Sequence, residues 1–353
     1  MTKGQMAITT MTMTMGMVAV FTLAMSTVVT DVSAGTNPDC TSHNYQCICN
    51  GASACSHQQL ASPQLHCSWG VECNGYGACT DLSVTNAYNS SNCGYSADYF
   101  NDFTCKGAAS CSKSTWHVTL GRMVCADTGT CSSLQISPSP RQQEPYPRAS
   151  TLECQGPQSC AASTITSPLK YIQCSGSQSC QGTRFSSGNA PGLEYESITA
   201  LCPGTGSCSN SRFSFSGATK GGGSMACSGS TSCANLQWVS NVASDRFGDV
   251  GMAFNCTGTA SCGRASFQND ASRTVLECKN GACKNIKVQF GCHSTVNCQG
   301  AGSCAASVFT CPQSCSQSCR LNAEDADLSS ASLHGAWNCI DVGGGRCPNS
   351  DKS

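Results

Sequence analysis

CQGPQSC at residues 154–160 and CSGSQSC at 174–180 are two copies of the seven-residue unit that decides the fold of this chain. The other strict copies of the pattern C-x-G-x-x-[small]-C are CNGASAC (49–55), CNGYGAC (73–79), CKGAASC (105–111), CPGTGSC (202–208), CSGSTSC (227–233), CTGTASC (256–262) and CQGAGSC (298–304). Two near copies complete the series, CADTGTC (125–131) and CKNGAC (278–283). This self-similarity indicates a repeat architecture.

Apolar residues flank each unit at fixed distances. One follows the second cysteine by five positions in every copy, and another precedes the first cysteine by two positions in every copy but the first, which has Cys47 there. The segments Trp116-x-Val118-x-Leu120 and Ile286-x-Val288-x-Phe290 show the two-residue alternation of half-buried strands. Each repeat therefore predicts a strand, a tight turn bounded by cysteines, and a second strand.

One such repeat cannot close a hydrophobic core, so successive repeats must stack and share one. First cysteines are 20 to 32 residues apart, and we interpret the excess over 20 as surface loops, which cost little free energy to lengthen. The longest loops follow the second strand, at residues 86–101, 138–150, 187–195, 216–224 and 241–251. The prediction is an all-β parallel solenoid of about eleven coils, roughly 50 Å long at about 4.8 Å per coil.

The third position of the unit is glycine in all but two copies. We interpret it as a turn residue with a positive φ angle. The exceptions are Asp127 and Asn280, and Asx residues tolerate that conformation better than other side chains.

The 32 cysteines predict a disulfide scaffold. Each unit can close on itself, or equivalent cysteines of adjacent coils can form a ladder, because stacked positions lie about 4.8 Å apart. We favour closure within the unit, although the sequence leaves both open. The pairs are then Cys49 with Cys55, Cys73 with Cys79, Cys105 with Cys111, Cys125 with Cys131, Cys154 with Cys160, Cys174 with Cys180, Cys202 with Cys208, Cys227 with Cys233, Cys256 with Cys262, Cys278 with Cys283, and Cys298 with Cys304.

Zinc is the main alternative role for the cysteines. Zinc sites usually use C-x2–4-C pairs, whereas the units are C-x5-C. Cys311, Cys315 and Cys319 come closest, with three-residue gaps. We interpret them as part of a disulfide-tied cap and expect no metal and no other cofactor.

Residues 1–34 are typical of a cleaved signal peptide. Lys3 precedes the apolar run 16–30, and Val32-Ser33-Ala34 offers a cleavage site before Gly35. The run is shorter than the roughly 20 apolar residues of a membrane span. We therefore expect a secreted, extracellular chain with no membrane span after cleavage, held in some settings at a cell surface or wall.

Asn89 (NSS) and Asn255 (NCT) lie in N-glycosylation sequons. The second is the poorer acceptor, because its middle residue, Cys256, is expected in a disulfide. Both sequons fit an extracellular glycoprotein.

Residues 35–48 and 312–353 lack the repeat and flank the solenoid domain, 49–311. We interpret them as N- and C-terminal caps that cover the open sheet edges. Residues 321–334 are the one segment for which we expect a short helix.

Composition and motifs argue against three function classes. Only 11% of residues are charged and the formal net charge is −1, so no basic footprint for nucleic acid is present. Glu72, Glu153 and Glu277 share the slot before a first cysteine, but three coils separate the first two by about 14 Å, too far for paired acid/base catalysis. Thr164-Ile165-Thr166 is the only match to an ice-binding array, and the next copy has Arg184 in place of a threonine.

The loop insertions could present a binding surface on one side of the solenoid. Tyr88, Tyr95, Tyr99 and Phe100 lie in the first of them and are candidate contacts for sugars or for a partner protein. Packing of these rings onto the solenoid is an equal alternative.

The C-x-G-x-x-S-C units, spread over residues 49–304, resemble the cysteine-rich parallel β-helix repeats of secreted and cell-surface proteins, particularly those of protists and algae. The resemblance implies a right-handed, single-stranded β-helix of pectate-lyase-like type, a hand that parallel crossovers also favour. It supplies no catalytic residues.

We therefore expect a non-catalytic structural or adhesive repeat protein of a cell surface, wall or extracellular matrix. The alternatives are a lectin-like carbohydrate-binding module and a polysaccharide lyase or hydrolase on a β-helix scaffold. Expected partners are extracellular polysaccharide or other surface proteins, and not nucleic acid.

Overall fold

A computed structural model describes residues 39–41, 46–61, 70–85, 101–118, 120–138, 150–187, 198–216, 223–241, 251–270, 273–314, 319–343, 345 and 347. These residues form 26 β-strands and no helix. The strands belong to two sheets, of 14 and 12 strands. The predicted signal peptide, 1–34, lies outside the described residues.

Sheet A holds the strand that leads into each cysteine unit. Adjacent strands of this sheet are parallel, except for the first two, which are antiparallel. In order across the sheet the strands are β1 (Asp39–Thr41), β2 (Gln46–Asn50), β4 (Gly70–Asn74), β6 (Asp102–Lys106), β8 (Arg122–Cys125), β10 (Thr151–Cys154), β12 (Tyr171–Cys174), β14 (Thr199–Cys202), β16 (Gly223–Cys227), β18 (Met252–Cys256), β20 (Val275–Lys279), β22 (Thr295–Gln299), β24 (Cys319–Glu324) and β26 (Trp337–Val342).

Sheet B holds the strand that follows each unit, and it is parallel throughout. From β2 onward, strands of sheet A and sheet B alternate along the chain. Each pair of strands therefore advances the chain by one coil, as a parallel solenoid requires. Its strands are β3 (Gln59–Ala61), β5 (Ser83–Thr85), β7 (Thr115–His117), β9 (Gln135–Ser137), β11 (Thr164–Ile165), β13 (Arg184–Ser187), β15 (Arg212–Ser216), β17 (Gln237–Asn241), β19 (Ser266–Asn269), β21 (Lys287–Phe290), β23 (Val308–Cys311) and β25 (Ser332–Gly335).

Equivalent positions of successive units lie side by side. Cys154 is in register with Cys174, and Phe213 with both Phe185 and Trp238. The apolar residues at the two flanking positions point inward and are buried, whereas their neighbours along each strand are more exposed. The core is therefore one continuous column between the two sheets.

Aromatic rings fill the middle of this column. The ring centroids of Phe213 lie 4.6 Å from Phe185 and 5.4 Å from Trp238. Trp238 in turn lies 5.2 Å from Phe254, which lies 4.8 Å from Phe267. Such pairs add stabilisation beyond the area that they bury, so neighbouring coils are coupled through their cores.

Each of the eleven units closes on itself through a disulfide, and the alternative ladder between coils does not form. Two more bonds join Cys311 to Cys319 and Cys339 to Cys347. None of the cysteines in the described ranges is free. A disulfide in every unit is typical of proteins from an oxidising environment.

The solenoid continues past residue 311, where we placed its end. β24 pairs in parallel with β22, and β25 with β23, so the helix predicted over 321–334 is wrong. Its apolar residues follow the two-residue period of a strand, and pairing with existing sheets decides the structure. Residues 319–342 thus add a twelfth coil and β26, the first strand of a thirteenth, in place of a separate cap.

The twelfth coil has no disulfide in its turn. Ala323 lies in register with Cys298, and Leu333 with Phe309. By that register Leu328 takes the place of the second cysteine, and Ala323 and Leu328 are both fully buried. Apolar packing replaces the cystine there.

The same pair of residues can be introduced into the tenth coil, where Cys278 and Cys283 are five positions apart, as Ala323 and Leu328 are. We expect Cys278→Ala with Cys283→Leu to be about 2 kcal/mol more stable in urea unfolding than Cys278→Ala with Cys283→Ala, because the leucine fills the vacated space. Equal stability of the two double variants would show that Leu328 does not substitute for a cystine.

A short strand covers the N-terminal edge of sheet A. β1 runs antiparallel to β2, with Cys40 opposite Cys47. Cys47 is buried and disulfide-bonded. The short antiparallel strand leaves the first coil without an open edge on this sheet.

The glycines of the unit fall into two groups. Gly51, Gly75, Gly107 and Gly300 have the predicted positive φ angles, between 84° and 132°, whereas the other five are required for a different reason. Gly156, Gly176, Gly204, Gly229 and Gly258 do not have positive φ angles. A Cβ on Gly176 would lie 2.1 Å from the carbonyl oxygen of Gly156, and the other four would meet the preceding coil at similar distances. Glycine is needed at these five positions because the coils approach backbone to backbone.

The two units without glycine at the third position differ in the backbone conformation of the residue that replaces it. Asn280 has a φ of 56°, as expected, but Asp127 is not among the residues with positive φ. The Asp127 carboxylate instead accepts a hydrogen bond from the backbone N–H of Gly107, at 2.7 Å. A side chain that caps the preceding coil explains the acidic residue there.

Positive φ angles also occur later in the turn, mostly on residues other than glycine. They recur two residues after the glycine and again two and four residues later, as at Ser53, Cys55 and His57. The backbone N–H of Ser53 donates to Tyr76 of the next coil, at 2.9 Å. Hydrogen bonds between coils therefore offset the cost of about 1–2 kcal/mol per residue for this conformation.

Buried hydroxyls connect several coils three residues after the second cysteine. Ser114, Ser163, Thr183, Ser211 and Ser307 each donate to the carbonyl of the second cysteine in the preceding coil. These bonds satisfy carbonyls that lie inside the turn.

A second set of buried hydroxyls has no partner. It comprises the residue before the second cysteine in six coils: Ser110, Ser159, Ser179, Ser207, Ser232 and Ser261. The same position is alanine in the first, second and tenth units. The position is therefore compatible with an apolar side chain.

Ser159 and Ser163 of the fifth coil give a matched test. We expect Ser159→Ala to raise the free energy of unfolding by about 1 kcal/mol, since a buried unsatisfied hydroxyl is removed. Ser163→Ala should lower it by about 1–3 kcal/mol, since the Cys131 carbonyl loses its 2.8 Å partner. Urea unfolding would contradict this account if both changes had the same sign.

Candidate functional site

The outer face of sheet A carries the carboxylates considered for catalysis. Register places Glu72, Glu153 and Glu277 in one column, as predicted, on the second, fifth and tenth coils. The column thus separates Glu72 from Glu153 by three coil steps, about 14 Å.

Each of these carboxylates is already engaged by neighbours. Glu72 lies 3.6 Å from the Lys106 ammonium and accepts from the amides of Gln46 and Asn74.

Glu153 is held in the same way. It accepts from Arg122 Nη2 and Nε, both at 2.9 Å, and from the amide of Gln155. Glu277 lies 3.6 Å from Lys279. The column is a set of surface ion pairs, which does not resemble a paired acid and base.

The outer face of sheet B has two columns of mostly polar side chains, of which the first is in unbroken register. The first column, on the coils with disulfides, is Gln59, Ser83, Thr115, Gln135, Thr164, Arg184, Arg212, Gln237, Ser266, Lys287 and Val308. The second column, two residues later, includes His117, Ser137, Ser186, Ser214, Gln268 and Gln289. This face presents at least one hydroxyl, amide or cationic group at every coil step, and guanidinium groups at Arg184 and Arg212.

Two sequence expectations fall on this face. His117 lies on β7 beside Trp116 and points outward, with Nδ1 2.6 Å from the Ser137 hydroxyl. Thr164 has Arg184 as its in-register neighbour, so the threonine array required for ice binding does not continue.

Arg184 and Arg212 are adjacent and both exposed. The sequence shows that both arginines occupy the position four residues after the second cysteine, where they interrupt a threonine array. Their significance depends on the sheet register, which makes them direct neighbours.

The remaining predicted contacts lie elsewhere. Tyr88, Tyr95, Tyr99, Phe100 and the sequon residue Asn89 lie outside the described residues. Asn255 is exposed on β18 of sheet A, in register with Ala226 and Glu277, and Cys256 beside it is buried in a disulfide.

Sulfur atoms of adjacent coils cluster, but as cystines. The sulfurs of Cys73, Cys105 and Cys111 lie within 4.8 Å of one another, and all three belong to disulfides. Cys311 is bonded to Cys319, while Cys315 lies outside the described residues. Zinc needs thiolates, so these clusters do not fit the metal while the bonds are formed.

No protein-family model, curated protein or solved structure matches the chain. Within the described ranges, no helix has the length and hydropathy to cross a membrane. The faces of the solenoid are therefore the basis for inferring a function.

Proposed function

We propose that the chain is a secreted, non-catalytic rod with a structural or adhesive role at a cell surface, in a wall or in an extracellular matrix. The observation that carries this proposal is the outer face of sheet B, where polar side chains repeat in register from coil to coil. A flat face with one set of hydrogen-bonding groups per coil suits a long polymer or an extended surface better than a small molecule, which needs a concave pocket.

Covalent closure of every unit supports a load-bearing or persistent role. Each disulfide restricts the unfolded chain and contributes about 2 kcal/mol for a loop of this size. The bonds recur in eleven consecutive coils, and the buried aromatic column joins the coils. Such a rod resists unfolding and proteolysis outside the cell.

The ion pairs on sheet A support the non-catalytic part of the proposal. Glycoside hydrolysis requires two carboxyl groups about 5–9.5 Å apart, one of them able to protonate the leaving group. Glu72 and Glu153 are about 14 Å apart by coil spacing, and each is paired with a cation.

One experiment tests secretion, adhesion and catalysis together. The full chain, expressed with its own N-terminal segment in a secretory host, should reach the medium with Gly35 as its first residue. It should sediment with insoluble wall or matrix polysaccharide and release no soluble sugar. Retention inside the cell or failure to sediment would overturn the proposal. Sugar release that is lost in Glu72→Gln with Glu153→Gln would replace it with an enzyme.

A further inference from the structure

Sheet B and its adjoining turns carry a group of cations on coils six to ten, here called the basic strip. Arg184, Arg212 and Lys287 lie in the first outer column, and Arg264 and Lys284 lie in the turns just before β19 and β21. All five side chains are exposed. At about 4.8 Å per coil the strip spans roughly 20 Å along the rod.

Within the part of the chain that the structure describes, no carboxylate forms an ion pair with the strip. The ion pairs of the described residues involve other cations: His57, Lys106, Arg122 and Lys279. Among the described residues on this face of coils six to ten, the only carboxylate is Asp270, which follows β19 at its far edge.

Two like charges face each other within the strip. Arg184 and Arg212 are in-register neighbours on adjacent strands, about 4.8 Å apart at the backbone. Like charges directly opposite one another destabilise a sheet. On sheet A the exposed cations are paired instead, because Lys106 and Arg122 each lie beside a glutamate.

We propose that the basic strip binds a linear acidic polysaccharide, one with carboxylate or sulfate ester groups, lying along the axis of the rod. This inference deepens the proposed function and rests on it. Guanidinium groups bind carboxylate and sulfate through two parallel hydrogen bonds. One coil step is close to the length of one sugar ring, so successive sugars can meet successive coils.

The second column supplies groups for the neutral part of a sugar chain. Ser186 and Ser214 lie beside the two arginines, and Gln268 and Gln289 lie farther along. Hydroxyl and amide groups both donate and accept hydrogen bonds, as sugar hydroxyls require.

Nucleic acid fits the strip less well. Single-stranded nucleic acid is bound by basic grooves that also offer aromatic rings for base stacking. The exposed aromatic side chain among the described residues is Tyr76, 71% accessible, and it lies in the turn of the second coil, four coils from Arg184.

The test compares two double variants that remove the same charge. Arg184→Gln with Arg212→Gln removes cations from the strip, and Lys106→Gln with Arg122→Gln removes paired cations from sheet A. Each is measured as the full secreted chain against polygalacturonate, dextran sulfate and neutral dextran. We expect the strip variant to lose at least about tenfold in affinity for one or both acidic polymers, and the sheet A variant to stay within about twofold. Binding should weaken as salt is raised.

The outcomes separate the two proposals. Preference for polygalacturonate or for dextran sulfate identifies the anionic group. Equal losses in both variants would overturn the strip, because net charge alone would explain the binding. Single-stranded DNA bound as tightly, through the same arginines, would overturn the assignment to polysaccharide. If the strip variant still sediments fully with insoluble polysaccharide, the strip is not the binding site, but the proposed adhesive role stands. If the chain binds no polymer, both the strip proposal and the adhesive role are wrong.

Discussion

Phe213→Ala should lower the free energy of unfolding by about 3–5 kcal/mol, more than any other single truncation discussed for this chain. Phe213 is fully buried and in ring contact with Phe185, Phe215 and Trp238. The change removes a buried ring and leaves a cavity that adjacent coils cannot fill without breaking register. Urea unfolding followed by circular dichroism gives the difference.

Ser214→Ala is the matched control for Phe213→Ala. Ser214 is the next residue on β15 and belongs to the outer face, so its truncation should change the unfolding free energy by no more than about 0.5 kcal/mol. A loss below about 1 kcal/mol for Phe213→Ala would contradict a continuous, close-packed core column.

Gly176→Ala should cost about 3 kcal/mol, because a single methyl group would be forced against the preceding coil. A Cβ there would lie 2.1 Å from the Gly156 carbonyl oxygen, and its three nearest neighbours are all backbone atoms of the preceding coil, which cannot rotate away. The same unfolding measurement applies.

Gly182 separates steric approach from backbone conformation. It has a φ of 68°, and a Cβ there would meet nothing within 4 Å. Gly182→Ala should therefore cost only the conformational penalty, about 1–2 kcal/mol. A larger loss at Gly182 than at Gly176 would show that positive φ, and not coil approach, is the stronger requirement for glycine.

The repeat and its register could be predicted from sequence because they depend on spacing alone. The apolar residues at fixed distances from the two cysteines, such as Ile172 and Phe185, determine which side chains face inward. A parallel stack then follows, since the unit cannot bury its own core. The sequence favoured closure of each unit without excluding a ladder, since both satisfy cystine geometry.

The twelfth coil was missed because its marker residues are absent. Ala323 and Leu328 replace the cysteines, and they preserve burial but not the motif. The alternation of Leu321 and Ala323 with polar residues was the available signal, and it is short enough to be confused with a weak helical pattern.

The close approach at Gly176 and the conformations later in the turn could not be derived from one unit in isolation. Gly176 is constrained by Gly156 of the preceding coil, and Ser53 by a hydrogen bond to Tyr76 of the next. Both constraints exist only after stacking. The basic strip has the same origin, since Arg184 and Arg212 are 28 positions apart in the sequence and become neighbours through the sheet.

The most direct test of the stacked, self-closed units is disulfide mapping by mass spectrometry of the unreduced secreted protein. Trypsin should release residues 171–184, which contain both Cys174 and Cys180, as one peptide lighter by two hydrogens than its reduced form. In the tenth unit, cleavage after Lys279 should leave residues 274–279 joined to 280–284 through Cys278 and Cys283. Peptide 171–184 joined instead to a peptide carrying Cys154 or Cys202, or recovered with free thiols, would contradict the structure described above.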